Sequence, residues 1–256
     1  VTHGHVVQRR ARIQAIAHAQ RGDAIRIVRA SRHHHGFIRR RHRLPRLRRA
    51  LKDARPEVRY QTVIALPRIA DASEADDALF EATKDDDVAV VHIALRVAEE
   101  RLDNGHPAEH RLLTRARTLV SESGKNPQTA LVAAILLAKA GDERGHELEK
   151  RAARSDKIGS LAPEKEDERA AVELAGELGF ADLVPALEKR TWGALRFVRD
   201  TCPFHARIAL ARMGHEKAIK EILDELGSSR REVLEGAVVS AGRGRVAAAR
   251  AKLEEL

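Results

Sequence analysis

The sequence DARPEVRYQTVIALPRIADASEADDALFEATKDDDVAVVHIALRVAEERL, residues 53–102, predicts two amphipathic helices followed by the start of a third. Apolar residues recur every three or four positions, the spacing that forms one face of a helix. Pro56 fits the first turn of the first helix, where its missing N–H costs nothing, and Ser73 fits the N-cap of the second. The pattern restarts at Asp86, which indicates an internal repeat. The apolar positions are Val58, Thr62, Ala65, Leu66 and Ile69, then Ala75, Ala78, Leu79 and Ala82.

Four further helix–turn–helix units follow at irregular spacing, and each begins with an Ala- and Leu-rich helix. Each first helix is followed by a glycine, which can take the left-handed backbone conformation that ends a helix. No alternating strand pattern competes with the helical one. The sequence therefore predicts an all-α fold. The units begin near Asn126, Glu166, Cys202 and Ser228, and their glycines are Gly141, Gly179, Gly214 and Gly242.

This pattern resembles the HEAT repeat, and more narrowly the bacterial HEAT-like repeat first associated with phycobilisome lyases. The resemblance is good over residues 53–102 and 202–256 and looser between them, and it departs at His92, where the repeat has the arginine represented by Arg59. It implies a right-handed α-α superhelix, a solenoid of antiparallel helix pairs, whose second helices line the concave side. It also implies that Arg59 ties neighbouring repeats together by pairing with an acid in the preceding turn, Asp53.

Composition narrows the class of protein. About 43% of the 256 residues are apolar and only 3% are aromatic, which suits closely packed helices with small aliphatic side chains. The single cysteine, Cys202, excludes an intrachain disulfide and fits a reducing compartment. No apolar run reaches the length of a membrane span, and the N-terminus shows no apolar core of a signal peptide. We therefore expect a cytoplasmic protein without a membrane partner.

Charge divides the chain into a basic segment, residues 1–52, and the repeats, residues 53–256. The first 55 residues hold 16 Lys+Arg and 2 acids, a net charge of +14, whereas the remainder is mildly acidic. The basic segment has three interpretations: a degenerate capping repeat, a nucleic-acid surface within residues 9–49, or an extension read from a start placed too far upstream. The arginines that would contact phosphates are Arg39, Arg40, Arg41, Arg43, Arg46, Arg48 and Arg49.

No pattern in the sequence predicts a metal, cofactor or catalytic site. Consecutive His33, His34 and His35 point in different directions on a helix, and the Cys202–His205 pair lacks a second pair nearby. There is no nucleophile elbow and no glycine-rich phosphate loop. The aromatic residues Trp192, Phe197 and Phe204 cluster in a break of the repeat, where they fit either a core plug or an interaction hot spot.

We expect a non-enzymatic scaffold or adaptor that binds another protein through the concave surface of the solenoid, with an undetermined oligomeric state. Nucleic-acid binding through residues 9–49 is the alternative. Two enzymatic alternatives rest on resemblance alone: a bilin lyase, and an alkylpurine DNA glycosylase in which Trp192 would contact an extruded base. The expected partner contacts, on second helices, are Glu74, Asp77, Arg144, Glu147, Arg151, Lys189, Arg190, Trp192, Lys217, Lys220, Arg245 and Arg250.

Overall fold

The computed structural model of the chain describes residues 44–193 and 202–255. The chain divides into two compact units, Val1–Arg49 and Ala50–Leu256, with the boundary a few residues before the one predicted at residue 52. The all-α prediction is confirmed for the described residues: they contain no strand, and their one β contact is an isolated bridge between Ile158 and Leu161. No helix among them combines the length and apolar character needed to cross a bilayer.

Among the described residues, twelve α-helices follow residues 44–50, which are also helical. Short 3-10 turns lead into or out of four of them, at Leu66–Arg68, Glu143–Gly145, Ala181–Leu183 and Ala247–Ala249. The helices are α1 Pro56–Ala65, α2 Ala72–Ala82, α3 Val88–Asp103, α4 His110–Ser121, α5 Pro127–Lys139, α6 His146–Ala153, α7 Lys165–Leu178, α8 Val184–Trp192, α9 Pro203–Arg212, α10 Glu216–Glu225, α11 Arg231–Arg243 and α12 Arg250–Glu254.

Local sequence explains where the helices begin. Pro56 opens α1, as predicted, because a first-turn residue needs no intrahelical N–H bond. The N-cap of α2 is Asp71 rather than the predicted Ser73, and the Asp71 carboxylate accepts from the backbone N–H of Glu74 at 2.8 Å. A charged carboxylate is the stronger acceptor at the positive end of a helix, which accounts for the difference.

The glycine prediction holds for three of the four units. Gly141, Gly179 and Gly214 have φ angles of 79°, 68° and 83° and end or follow their helices. Gly242 instead lies inside α11, and the left-handed position falls on Arg245, with φ 51°. A non-glycine residue in this region is uncommon, so the turn after α11 is less relaxed than the others.

The helices form two groups according to what they pack against. The odd-numbered helices α1, α3, α5, α7, α9 and α11 contact one another in chain order. Each of the even-numbered helices from α2 to α10 packs against the odd-numbered helix that follows it. This alternation places one continuous layer of odd-numbered helices beside a second set of even-numbered ones.

Helix α5 lies at the centre of the packing. Every residue from Pro127 to Ala138 except Gln128 is buried, and α5 contacts α3, α4, α6 and α7. This explains why its sequence, PQTALVAAILLAK, is apolar on all sides. A fully buried leucine such as Leu136 contributes about 1.5–3 kcal/mol relative to exposure, so α5 is a principal source of stability.

Close approach of backbones accompanies the small side chains. A Cβ on Gly176 of α7 would lie 2.5 Å from the Ala209 Cα of α9, and one on Gly145 would lie 2.2 Å from the Ala134 carbonyl oxygen. Neither position has room for a methyl group without movement of a neighbouring backbone. The alanine-rich composition is therefore tied directly to helix spacing.

Arg59 ties two successive turns together, but its partner differs from the implied one. The guanidinium donates to the Asp85 carboxylate from Nε and Nη2, both at 2.7 Å, and to the Asp53 carbonyl oxygen at 2.8 Å. The Asp53 carboxylate instead accepts from Arg55. The side chain of Arg59 thus reaches forward to the turn before α3, and this hydrogen bonding holds the pKa of Asp85 below its ordinary value.

Candidate functional site

Most of the expected partner contacts lie on the surface, but on separate helices. Only Lys217 and Trp192 are brought into contact. Arg151 is half-buried and donates to the Lys157 carbonyl oxygen, while Glu74 is half-buried and Asp77 pairs with Arg111 at 2.6 Å. The exposed residues are Arg144, Glu147, Lys189, Lys217, Lys220, Arg245 and Arg250.

Arg190 is a structural residue, and its prediction as a partner contact is wrong. It is 5% exposed; its guanidinium donates to the Ala153 carbonyl oxygen and to Glu168 Oε1, each at 2.8 Å. Glu168 is buried as well, at 7% exposed. Both charged groups are held away from water, where loss of a partner is costly, so Arg190 joins α8 to α7 and the end of α6.

Trp192 lies at the end of α8 and lines an open pocket of about 270 Å³. Its ring is half-buried and packs against the C-terminal apolar core. The indole Nε1–H donates to Glu221, with both carboxylate oxygens at 3.0 Å. Trp192 therefore combines the two interpretations of the aromatic cluster, because one part of the ring fills core space and another borders the pocket. The described lining residues are Thr191, Trp192, Pro203, Phe204, Arg207, Glu221 and Glu225.

The floor of the pocket carries a fixed ion pair. Arg207 of α9 donates from both terminal nitrogens to the Glu225 carboxylate of α10, at 2.6 and 2.7 Å. This two-point geometry fixes the orientation of both side chains. Sequence spacing could not indicate the pocket, because Trp192, Phe204 and Glu221 meet only once α8, α9 and α10 are packed. Phe197 lies outside the described residues.

One lysine lies over the Trp192 ring, and two more lie one helical turn from Trp192 or from that lysine. The Lys217 ammonium lies 4.0 Å from the ring centroid, a favourable cation–π distance. Lys189 precedes Trp192 by three residues on α8, and Lys220 follows Lys217 by three on α10, so each shares a helix face with its neighbour. Within the described residues, Lys189, Lys217 and Lys220 form no ion pair with a carboxylate. The arrangement offers an aromatic ring, a pocket and free positive charge together.

The odd-numbered helices carry a different cluster, which sequence analysis missed. The His92 Nε2 of α3 lies 3.3 Å from the Asp167 Oδ2 of α7, and Arg96 of α3 donates to Asp167 Oδ1. Burial opposes ionisation of Asp167, yet the hydrogen bonds and charges of His92 and Arg96 hold its pKa below the ordinary value. These contacts pass over α5, which lies between α3 and α7.

The same face shows a second contact of this kind. Glu173 of α7 is paired with His205 of α9 at 2.5 Å and with Arg243 of α11, which lies beyond α9. Charged side chains of the odd-numbered helices therefore meet one another across an intervening helix at two places. This is only possible if these helices are closely spaced or curve toward one another.

Glu149 of α6 is a buried acidic side chain to which no cation of the described residues binds. It is fully buried, and neither carboxylate oxygen has a hydrogen-bond partner. The neighbouring cations Lys150 and Arg154 bind Asp182 instead, at 2.9 and 3.1 Å. Burial raises the pKa of Glu149 to about 8, so the carboxyl is protonated at neutral pH.

The basic segment lies largely outside the described residues, including Arg39, Arg40, Arg41 and Arg43. Residues 44–50 are helical, and Arg46, Arg48 and Arg49 are exposed on them.

Comparison with known proteins does not identify a family. No family model matches the chain, and no curated protein matches it significantly. The HEAT-like resemblance thus rests on the residues themselves.

Proposed function

We propose that this chain is a non-enzymatic scaffold of HEAT-like helix pairs that binds another protein through the surface around Trp192. The alternation of odd- and even-numbered helices supports a superhelical arrangement, since each helix pair packs mainly against the next. Its cytoplasmic location remains a prediction.

In such a superhelix the odd-numbered helices would form the inner layer. The contacts of Asp167 with α3 and of Glu173 with α11 draw these helices together across their neighbours. This is the reverse of the orientation that the repeat resemblance implies. Because the inner layer is bridged by its own ion pairs, we place the partner surface on the even-numbered side.

The observation that carries the proposal is the half-buried Trp192, which borders an open pocket and carries over its ring Lys217, a lysine with no ion pair among the described residues. We call this the Trp192 surface and define it as Trp192, Lys189, Lys217, Lys220 and the lining of the pocket. Tryptophan at the edge of a preformed pocket is the residue type most often found at interaction hot spots. Free lysines around it favour a partner segment that combines an apolar side chain with acidic residues.

The pocket also bears on the glycosylase-type alternative. Besides Trp192, it contains Phe204 and two carboxylates, Glu221 and Glu225. Both carboxylates are held by the chain itself, Glu221 by the Trp192 indole and Glu225 by Arg207. The pocket therefore suits the side chain of a bound peptide better than an extruded nucleobase, whose excision would need a free carboxylate. Nucleic-acid binding through residues 9–49 and a lyase activity remain proposals without a supporting contact among the described residues.

The proposal is tested by charge reversal on the Trp192 surface. The full chain and a Lys189→Glu/Lys217→Glu/Lys220→Glu variant are immobilised, and proteins captured from nuclease-treated lysate of the native host are quantified by mass spectrometry. We expect one or a few proteins, enriched in acidic segments, to be captured by the unaltered chain and lost from the variant. A Trp192→Ala variant should lose the same proteins.

The matched control is Lys125→Glu/Lys157→Glu/Lys165→Glu, which has the same net charge and alters three exposed lysines elsewhere. Capture that survives the Trp192-surface variant but disappears with the control would refute the assignment of the surface. Capture that disappears on nuclease treatment alone would favour nucleic-acid binding.

A further inference from the structure

His92, Glu164 and Asp167 lie together at the start of α7, where the odd-numbered helices converge. We propose that these three residues, the His92 site, bind one divalent transition-metal ion of the Zn²⁺ class. This role is independent of the Trp192 surface. It also departs from the sequence-based expectation that the chain has no metal site.

The geometry brings together three ligand atoms, from His92 of α3, Asp167 of α7 and Glu164, the N-cap of α7. One imidazole nitrogen and two carboxylate oxygens all lie within 4.8 Å of one another. An imidazole with carboxylates is a donor set that suits zinc and its first-row neighbours, whereas calcium and magnesium prefer oxygen alone. Asp167 is buried and Glu164 is exposed, so the site is anchored on one side and open to solvent on the other.

Arg96 orients the buried ligand. The Arg96 guanidinium donates a hydrogen bond to Asp167 Oδ1. The second carboxylate oxygen, Oδ2, therefore faces His92 Nε2. Hydrogen bonding of a ligating carboxylate by a second residue is the usual way a metal ligand is held in place. The positive charge of Arg96 is itself offset by Glu99, whose carboxylate lies 2.5 Å from the guanidinium.

The carboxylates beside the site outnumber the cations that bind them in the described residues. Asp167 and Glu99 share Arg96, and Glu99 and Asp103 share Lys139. The Lys139 ammonium lies 2.9 Å from Glu99 and 2.7 Å from Asp103. On the opposite side, burial and the negative charges of Glu166 and Glu164 raise the pKa of Tyr60. A bound divalent cation would reduce this excess of negative charge.

A metal here would join α3 to α7 across α5. His92 and Asp167 are 75 residues apart in the sequence, and α3 and α7 contribute to different apolar cores. A bound ion would therefore strengthen a long-range contact and raise the stability of the whole unit.

The test uses the full chain, freed of metal with a chelator and titrated with ZnCl₂ in competition with a chromophoric zinc indicator. The unaltered chain is compared with His92→Gln and with Glu164→Gln, which removes an exposed ligand and leaves the buried contacts in place. We expect His92→Gln to bind one Zn²⁺ fewer per chain, and Glu164→Gln to bind that ion at least about tenfold more weakly. Zinc should also raise the melting temperature of the unaltered chain more than that of either variant.

Two control variants separate the site from general histidine or acid binding. His205→Gln removes another histidine–carboxylate pair of the same helical layer, and Glu166→Gln makes the same charge change two residues from Glu164. Both control variants should retain the ion. Any zinc bound by the seven histidines of residues 1–52 is the same in every variant and cancels in the comparison. Equal stoichiometry and affinity in the unaltered chain and His92→Gln, or an equal loss in the controls, would overturn the proposal.

Discussion

Replacing Glu149 with glutamine should stabilise the protein at neutral pH and have little such effect in acid. The Glu149 carboxyl is fully buried without a hydrogen-bond partner, and burial raises its pKa from 4.5 to about 8. On unfolding it regains its ordinary pKa. A carboxyl whose pKa is raised in the folded state contributes no penalty below the unfolded pKa, and the penalty grows as pH rises toward the folded value.

The magnitude follows from the two pKa values. At pH 7 the unfolded carboxyl is ionised while the folded one is protonated, a difference of about 3 kcal/mol in favour of unfolding. At about pH 4 both states are protonated and the difference vanishes. Glutamine keeps a similar shape and a buried polar group, but it does not ionise. The gain in unfolding free energy from Glu149→Gln should therefore be about 3 kcal/mol larger at pH 7 than at pH 4.

Urea unfolding followed by circular dichroism at both pH values measures this difference. Glu147→Gln, an exposed change on the same helix, is the control and should show no comparable dependence on pH. The reasoning fails if Glu149→Gln changes stability by the same amount at both pH values, or if it destabilises the protein more at pH 7. Either result would mean that Glu149 is ionised and compensated in the folded protein.

Three further changes test the packing. Gly176→Ala should lower the unfolding free energy by about 1–3 kcal/mol in urea titrations, because the added methyl meets the Ala209 backbone; an increase would refute the close approach. Arg190→Met should cost about 3 kcal/mol in thermal unfolding, because it removes the buried contacts of the guanidinium with Glu168 and with the Ala153 carbonyl oxygen, and unchanged stability would contradict the role of the buried pair. Leu136→Ala should lower the unfolding free energy measured by calorimetry by about 2–5 kcal/mol, and unfolding should remain a single transition. Two transitions would show instead that the cores on either side of α5 unfold separately.

Periodicity in the sequence was sufficient for most of the described helices, although it did not single out α4. The apolar spacing around Val58 and Ala78 predicts α1 and α2 correctly, because a helix face depends on residues only a few positions apart. The glycine after α7 also marks its end correctly, since the left-handed conformation is a local property. These features need no knowledge of tertiary structure.

Side-chain partners could not be derived in the same way. Arg59 binds Asp85, Arg190 binds Glu168, and His92 meets Asp167, and each pair depends on how separate helices stack. Arg190 was expected at the surface because arginine is usually exposed, a rule that fails where a buried acid accompanies it. The candidate sites are therefore properties of the packing: the sequence indicates Trp192, Lys189, Lys217 and Lys220 one by one, but not the pocket beside them or the His92–Asp167 contact.

The complete burial of α5 limits how this chain can grow or shrink. Duplication and deletion of whole units lengthen and shorten helical-repeat proteins readily when each unit touches only its immediate neighbours. Here α5 is enclosed by four helices and bridged from α3 to α7, so removing or inserting a unit at this point would expose an apolar helix and separate His92 from Asp167. Variation in length among natural or engineered versions should therefore be confined to the ends, with the segment from α3 to α7 inherited as one piece.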